Sequence, residues 1–360
     1  LPGQRVTSRE RMLAVLQGRE HDAVPFVQYS GIAAPDAEVW DLIGRDAMGI
    51  LAWEGAHCVR TPNCRWETEE TSLDGRSGVR TTLHTPAGDL IQESVREPAL
   101  GTSSTHRHFV REPGDYAKLL AFLRDVEIHP DLDELARKDR AMGDDGLLHV
   151  STGRTPFQAM WIEWTGIERL SCDLADCPGL VEECMEALGT NLRKVFEILH
   201  GAPVSHAVFP DNITAPMTGE RTFRRWCLPY YRELSDMLAE RHTPVFVHMD
   251  GDLQPLSRAI AESGVGGIDS MSPPPDNDTS VATALSQWPD MRLWLNFPSS
   301  VHLASGRTVY ETAARILAEG GASGRLQIQI SENVPPGSWQ TSYPEIVRAI
   351  RDFGRPEHTA

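Results

Sequence analysis

Eight short runs of β-forming residues recur along this chain, and amphipathic stretches mostly separate them. In residues 176–199, for example, apolar side chains recur at helical spacing. Strand–helix alternation along a whole chain favours an α/β fold with a parallel sheet, and eight repeats favour a closed (β/α)8 TIM barrel. The runs are residues 25–29, 47–53, 147–151, 206–210, 245–249, 266–270, 292–296 and 326–330.

Residues 60–97 interrupt this alternation. There polar and apolar residues alternate, and Asp-Gly and Ala-Gly pairs mark tight turns, a pattern typical of antiparallel hairpins. We predict an antiparallel β-meander at about residues 57–98, inserted after the second barrel strand. The sequence shows no internal repeat and no long linker, so we predict one barrel domain over residues 1–360 with this insertion.

Charge and cysteine content exclude several classes of protein. A net charge of -17 repels phosphates, so neither nucleic acid nor an anionic membrane is expected as a partner. No stretch approaches the roughly 18 apolar residues of a membrane span, and residues 1–10 lack the apolar segment of a signal peptide. The cysteines form no C-x-x-C pair, as expected for reduced, structural thiols of a cytoplasmic protein. They are Cys58, Cys64, Cys172, Cys177, Cys184 and Cys227.

The segment PVFVHMDGDLQPL, residues 244–256, ends an apolar run with a histidine and an aspartate. In a strand, His248 and Asp250 project to the same side. Chemistry in such a barrel lies at the carboxyl ends of the strands, where Glu332 follows the eighth run in the same way. These three side chains together suit a borderline divalent metal such as zinc, iron, manganese or cobalt. The alternative is that the carboxylates accept hydrogen bonds from loop N–H groups and His248 structures the turn.

Other candidate residues also follow or border the predicted strands. Asp211 and Asn212 end the fourth run, and we assign them a catalytic role, with a loop cap as the alternative. For Trp53 and Trp161, introduced here as substrate-binding candidates, the alternative is packing at half-buried positions. For His302 the alternative is a solvated loop position. The substrate-binding candidates are Tyr29, Trp53, Trp161, Asn296 and His302, and residues 271–278 form a candidate lid.

Several segments resemble the uroporphyrinogen decarboxylase superfamily. The opening TSRERMLAVLQGREHDAVPF, residues 7–26, is similar to its N-terminal signature, with an R-E-R helix and a V-P step into the first strand. Further similar segments follow in the same order, at residues 154–181, 228–271 and 326–336. They cover nearly the whole chain, and the resemblance implies a (β/α)8 barrel.

The superfamily contains two chemistries. True uroporphyrinogen decarboxylases carry arginines just after the first strand, which hold the acidic side chains of the substrate. This chain has no arginine between Arg19 and Arg45, and planar bidentate recognition of carboxylates is not easily replaced. The resemblance therefore favours the branch of methyltransferases that work with corrinoid proteins. A decarboxylase acting on another substrate is the alternative.

Thiol-activating members of that branch bind zinc through H-x-C at one strand end and a second cysteine near the last strand. The segment HMDG matches at His248, while Asp250 and Glu332 stand where the two cysteines are found. The resemblance thus implies a divalent metal site with harder, oxygen ligands, zinc being the first expectation. It implies demethylation of a small O-, N- or S-methylated substrate, with the corrinoid (cobalamin) carried by a partner protein. The oligomeric state stays open, a homodimer included.

Overall fold

The computed structural model describes residues 6–32, 34–98 and 102–354. The described residues fall into two compact units. The first takes in those of Leu1–Gly55, Asp133–Ser151 and Pro203–Ala360, and the second those of Ala56–Leu132 and Thr152–Ala202. Residues 1–5, on which part of the expectation of no signal peptide rests, lie outside the described residues. That residues 1–360 form one domain stays a prediction.

Eight parallel strands of the first unit form a closed barrel, which confirms the predicted (β/α)8 architecture. They are β1 (Phe26–Tyr29), β2 (Gly49–Gly55), β9 (Gly146–Ser151), β10 (Ala207–Phe209), β11 (Val245–His248), β12 (Gly267–Met271), β13 (Arg292–Asn296) and β14 (Leu326–Ile330). They follow this order around the barrel, and β14 closes it by pairing with β1. Every residue of β1, β11, β12 and β14 is buried, as expected for parallel strands covered on both faces.

The barrel interior holds an apolar core. Phe246 stacks on Trp294 with ring centroids 4.2 Å apart. Met12 and Leu16 of the first helix belong to the same buried cluster, so that helix packs against the barrel core. The remaining buried members are Val27, Tyr29, Leu51, Leu147 and Val208.

Helices follow or connect most of the strands. The first begins at a capping box: Glu10 N donates to Thr7 Oγ1 at 3.2 Å, and Thr7 N donates to the Glu10 carboxylate at 2.8 Å. It ends at Gly18, whose φ of 66° suits glycine. The α-helices are α1 (Ser8–Gln17), α2 (Asp36–Ile43), α3 (Asp115–Asp125), α4 (Leu132–Met142), α5 (Pro156–Ala159), α6 (Ile167–Asp176), α7 (Pro178–Gly201), α8 (Ala215–Thr218), α9 (Glu220–Thr222), α10 (Leu228–Ala239), α11 (Ser257–Ala261), α12 (Val281–Gln287), α13 (Gly306–Gly320) and α14 (Trp339–Phe353). Among the described residues, two π-helices occur at Met160–Thr165 and Phe223–Cys227.

The second unit contains the predicted antiparallel insertion. β3 (His57–Arg60) pairs with β8 (Glu127–Pro130), and a four-stranded sheet consists of β4 (Arg65–Leu73), β5 (Arg76–Thr85), β6 (Gly88–Glu97) and β7 (Thr102–Arg107). The Asp-Gly turn between β4 and β5 has positive φ at both Asp74 and Gly75, as a tight hairpin requires. The insertion follows the second barrel strand as predicted, and its sheet extends past residue 98 through β7.

None of the six cysteines, all of which lie among the described residues, forms a disulfide. Among the helices that the structure describes, none combines the length and the hydropathy needed to cross a membrane.

Candidate functional site

Asp269 lies at the centre of a buried hydrogen-bond network inside the barrel. Its Oδ2 accepts a hydrogen bond from the Tyr29 hydroxyl at 2.5 Å and lies 2.9 Å from His248 Nδ1 and 3.4 Å from His149 Nε2. Its Oδ1 accepts a hydrogen bond from Gln329 Nε2 at 2.8 Å. Burial alone would raise the pKa of Asp269, but the two histidines hold that pKa well below its usual range. The carboxylate is therefore ionised.

A β-bulge lets two successive residues face this network. The register between β12 and β13 shifts between Asp269 and Met271, and Ser270 has a φ of 63°. This left-handed conformation is unfavourable for a residue other than glycine, so the surrounding contacts must hold it. Ser270 Oγ lies 3.2 Å from both the Tyr29 hydroxyl and Gln329 Nε2. The bulge thus adds a hydroxyl to the groups around the Asp269 carboxylate.

His248, the last residue of β11, joins the buried network to the carboxyl end of the barrel. Its Nδ1 faces Asp269, while its Nε2 lies 3.6 Å from Asp250 Oδ2. Asn212 Nδ2 donates to the same oxygen of Asp250 at 2.9 Å. Burial opposes a charge on His248, but the hydrogen bonds to Asp250 and Asp269 prevail and raise the pKa of His248 to about 10. The geometry thus holds an imidazolium between two carboxylates.

The loops after β10 and β11 are fixed against each other. Ile213 N donates to the His248 carbonyl oxygen at 3.1 Å, and Gly251 N donates to the Ile213 carbonyl oxygen at 3.3 Å. A Cβ on Gly251 would lie 2.2 Å from Thr214 Cβ, a distance that real Cβ contacts do not reach. Only glycine allows this approach, so close packing against Thr214 explains the glycine of the HMDG segment. Asn212 has a φ of 52°, a conformation that asparagine adopts more readily than most residues.

Asn296 and Glu332 meet at one serine. Ser299 Oγ donates to Glu332 Oε2 at 2.7 Å and lies 3.4 Å from Asn296 Nδ2. Asn296 Oδ1 accepts from the Ser331 backbone N at 3.0 Å, which ties the ends of β13 and β14. Burial raises the pKa of Glu332, and the hydrogen bond from Ser299 offsets this only in part. Glu332 therefore keeps its proton to higher pH than an exposed glutamate.

The three predicted metal ligands are brought together only in part. His248 and Asp250 face each other, and Asp269 orients His248 through its other ring nitrogen, as carboxylates often do for metal-binding histidines. Glu332 is bonded to Ser299 instead. Within residues 6–32, 34–98 and 102–354, no three His, Cys, Asp or Glu side chains are grouped so that they could hold a metal ion. In this arrangement the side chains do not fit a common metal ion, and the ligand set stays a prediction.

Trp53 and two buried histidines border the network. The Trp53 ring centroid lies 4.2 Å from that of His149 and 5.4 Å from that of Tyr29, in edge-to-face arrangements. His149 Nδ1 is 2.8 Å from His206 Nε2. Burial lowers the pKa of His206 well below its usual value, so this histidine is neutral. Trp53 is only half-buried.

Two further predicted residues are buried and bonded to helices. Asp211 accepts a hydrogen bond from the Tyr231 hydroxyl at 2.5 Å. His302 is buried, so the alternative of a solvated loop position is wrong. Its Nδ1 lies 2.8 Å from Ser342 Oγ. Burial lowers the pKa of His302 to about 4. Their catalytic and substrate-binding roles stay predictions.

Trp161 lies in the second unit, within the first π-helix, and its Nε1 donates to Gln158. Its substrate-binding role stays a prediction. The candidate lid, residues 271–278, is tied to the loop after β11, because Asn277 Nδ2 donates to the Asp250 carbonyl oxygen at 2.8 Å. Movement of this segment would therefore cost at least that hydrogen bond.

Five residues of the network were not predicted from the sequence, because they lie within predicted strands rather than after them. The signal was present: a carboxylate or an imidazole inside a run that is buried on both faces must find a buried partner. An aspartate in GGIDS and histidines in LLHVS and HAVFP meet this condition. The five are His149, His206, Asp269, Ser270 and Gln329.

Comparison with known proteins gives a family and a fold. The family model described as uroporphyrinogen decarboxylase (URO-D) matches residues 156–349. A methyltransferase from Methanosarcina mazei is similar in structure, with a TM-score of 0.58 and 12% sequence identity over 97% of this chain and 99% of that chain. A B12-independent methionine synthase from Shewanella sp. W3-18-1 has a TM-score of 0.39 and 11% identity over 83% of this chain and 75% of that chain. No curated protein sequence matches this chain.

The matched segment covers more than half of the chain and includes β11, β12 and the loop that carries Asp250. The similarity to the methyltransferase supports the barrel fold, and the other structure is too distant to add to it. This chain belongs to the uroporphyrinogen decarboxylase family.

Proposed function

We propose that this chain is a methyltransferase that removes a methyl group from a small O-, N- or S-methylated compound and passes it to a corrinoid carried by a partner protein. The observation that carries the proposal is the pair His248 and Asp250 at the carboxyl end of the barrel, anchored from inside by Asp269. Substrates of such barrels bind at that end. The shared fold with a methyltransferase supports the class of reaction.

Demethylation requires assistance at the atom that loses the methyl group. When bound, a reduced corrinoid supplies the electron pair of the new cobalt–carbon bond. The electron pair of the broken bond stays on the oxygen, nitrogen or sulfur of the substrate. That atom is a poor leaving group unless a proton or a metal ion takes up the developing charge.

We propose that His248 gives this assistance as a proton donor. Asp269 fixes the imidazole ring through Nδ1, so Nε2 faces Asp250 at the end of the strand. Asn212 holds Asp250 in place through a hydrogen bond of 2.9 Å. A substrate heteroatom bound beside Asp250 would receive the proton of His248 Nε2 as the methyl group leaves. The role of Asn212 is then to position Asp250.

The aromatic border of the network suits a methylated substrate. Trp53 is half-buried and packs edge to face on Tyr29 and His149. A half-buried indole can pack against a methoxy-aromatic ring or a methylthio group, and it attracts a methylammonium group through the cation–π interaction. We propose Trp53 and Tyr29 as the wall against which the methyl-bearing group lies.

Decarboxylation of a substrate other than uroporphyrinogen is the second candidate, and the family match favours it. Loss of carbon dioxide leaves a carbon that must take up a proton, which His248 would also supply. The absence of arginine between Arg19 and Arg45 argues against a polycarboxylate in this site.

One assay separates the two functions. The protein is mixed with a reduced corrinoid and a panel of methoxy-aromatic, methylamine and methylthio compounds, and demethylated products are detected by chromatography. Uroporphyrinogen and a panel of smaller aromatic and heteroaromatic carboxylic acids are tested in parallel for release of carbon dioxide. We expect demethylation of at least one compound, only with the corrinoid present, and no carbon dioxide. Carbon dioxide release without any demethylated product would reverse the order of the two candidates.

A matched pair of histidine variants assigns the reaction to this site. His248→Ala should lower the rate about a hundredfold or more, as loss of a general acid does. His129→Ala removes an exposed histidine of β8 and should leave the rate unchanged. Equal activity of both variants would remove His248 from the mechanism.

A further inference from the structure

An electropositive pocket in the second unit has no role in the activity proposed above. Its volume is about 470 Å³, enough for a small organic molecule. Three arginines and two histidines belong to its lining, although the chain as a whole has a net charge of -17. The lining includes His106, Arg107, His108, Arg111, Thr165 and Arg169.

Two charged groups of the lining are neutralised by neighbours. Arg169 Nε donates to Asp173 Oδ2 at 2.7 Å. Glu93, which also lines the pocket, is bonded to Arg80, with its Oε1 2.8 Å from a terminal nitrogen of that guanidinium. Neither the charge of Arg169 nor that of Glu93 is therefore left for a ligand.

Arg107 and Arg111 are not neutralised in this way. In the part of the chain that the structure describes, neither guanidinium has an ion-pair partner, and the buried Nε of Arg107 has no hydrogen-bond acceptor. The buried Nδ1 of His108 likewise lacks a partner. A buried donor without an acceptor destabilises the protein, and more so when its group is charged. An anion in the pocket would instead pair with guanidinium charge that no carboxylate of the described residues neutralises.

The sheet carries a β-bulge beside Arg107. In the pairing of β6 with β7, Glu93 lies opposite Arg107 but Ser94 lies opposite Thr105, so His106 is an extra residue. Such a β-bulge redirects the side chains beside it and is common next to binding sites. The bulge thus accounts for a half-buried arginine at the end of an otherwise exposed edge strand.

Gly166 makes room for the neighbouring histidine. Its φ is 74°, and a Cβ on it would lie 2.8 Å from His108 Cδ2. Val110 N donates to the Trp164 carbonyl oxygen at 2.9 Å, which joins the segment after β7 to the end of the first π-helix. Both walls of the pocket are therefore held by backbone contacts rather than by loose side chains.

We propose that this pocket binds a small molecule that carries a carboxylate or phosphate group, through the guanidinium groups of Arg107 and Arg111. Each guanidinium presents paired N–H donors that match the oxygens of either group. The remaining volume takes the organic part of the ligand.

Calorimetric titration of the full chain with inorganic phosphate, and separately with succinate, tests this site at constant ionic strength. We expect saturable binding of at least one anion. Arg107→Gln and Arg111→Gln should each weaken it about tenfold or more, as loss of a charge-assisted hydrogen bond does. Arg76→Gln is the matched control, because Arg76 lies on the same sheet and pairs with Glu97.

Binding of phosphate alone assigns a phosphate group to the ligand, and binding of succinate alone assigns a carboxylate. The proposal fails if neither anion binds saturably at millimolar concentration, or if chloride competes equally well. It also fails if Arg76→Gln weakens binding as much as Arg111→Gln does. Should Arg107→Gln not fold, Arg111→Gln carries the test, because Arg111 is exposed and its replacement leaves no cavity.

Discussion

His248 is held from inside the barrel by Asp269, whose Oδ2 lies 2.9 Å from His248 Nδ1. The same oxygen accepts a hydrogen bond from the Tyr29 hydroxyl at 2.5 Å. Burial of all three residues means that water cannot replace the carboxylate if it is lost. This contact therefore links the stability of the barrel core to the position of His248 at its carboxyl end.

Replacement of the central carboxylate should destabilise the protein strongly. Asp269→Asn leaves His248 buried beside an amide that does not neutralise it, and we expect the free energy of unfolding to fall by about 3 kcal/mol. Urea denaturation measures the change, with Asp290→Asn at an exposed position as the matched control. A stability equal to that of the control would mean that Asp269 does not hold the network together.

The buried position of His302 predicts that the folded protein loses free energy of unfolding in acid. Burial lowers the pKa of His302 to about 4 in the folded protein, from an ordinary value of 6.5, with Asp276 opposing the shift. Above the ordinary value neither state binds a proton here, and the full stability is present. As the pH falls from 6.5 towards 4, only the unfolded state binds the proton, so the free energy of unfolding falls by up to about 3 kcal/mol.

A variant that cannot titrate isolates this contribution. His302→Gln should be less stable than the wild type near neutral pH but should lose less stability on acidification. Urea denaturation at about pH 7 and about pH 4 gives the difference. The same pH dependence in both proteins would show that His302 does not titrate as its burial requires.

Gly251 should tolerate no side chain. In Gly251→Ala the new Cβ meets Thr214, and we expect a loss of about 1–3 kcal/mol in stability and a displaced Asp250. Gly179→Ala is the control, since a Cβ there meets nothing within 4 Å. Thermal unfolding and the demethylation rate report the two effects. If Gly251→Ala had the same thermal stability and the same demethylation rate as Gly179→Ala, the loops after β10 and β11 would be less tightly packed than the structure shows.

The metal prediction has a direct test. If His248, Asp250 and Glu332 close on one ion, the protein incubated with zinc should retain about one ion per chain, and His248→Ala should lose it. His129→Ala is the control. The double variant Asp250→Cys, Glu332→Cys should bind zinc more tightly, because thiolates are better ligands for it. Elemental analysis without bound zinc, iron, cobalt or manganese would leave proton donation by His248 as the source of assistance.

Strand positions were predictable for a physical reason. Strands of a parallel barrel are buried on both faces, so they appear in the sequence as short apolar runs between turns. Residues 292–296 and 326–330 coincide with β13 and β14 as observed. The same rule placed His248 at a strand end, because the apolar run stops there.

Side-chain partners were less predictable because they depend on contacts between distant segments. Glu332 accepts a hydrogen bond from Ser299, which follows a different strand. No local sequence pattern predicts this contact. Asp269 and Ser270 face the same side only because a β-bulge shifts the register, whereas simple alternation places them on opposite sides. Which residues contact one another in the network therefore became known only from the three-dimensional structure.

Formation of methyl-cobalt is the most direct test of the proposed function. The protein, a Co(I) corrinoid and one methylated donor are mixed, and the absorption spectrum is followed from Co(I) to methyl-Co(III). The proposal predicts that at least one donor of the methoxy-aromatic, methylamine or methylthio classes gives methyl-Co(III) equally fast with the wild type and with His129→Ala, and about a hundredfold or more slowly with His248→Ala. If no donor of any class gives methyl-Co(III), or if His248→Ala forms it as fast as the wild type, the central claim is contradicted.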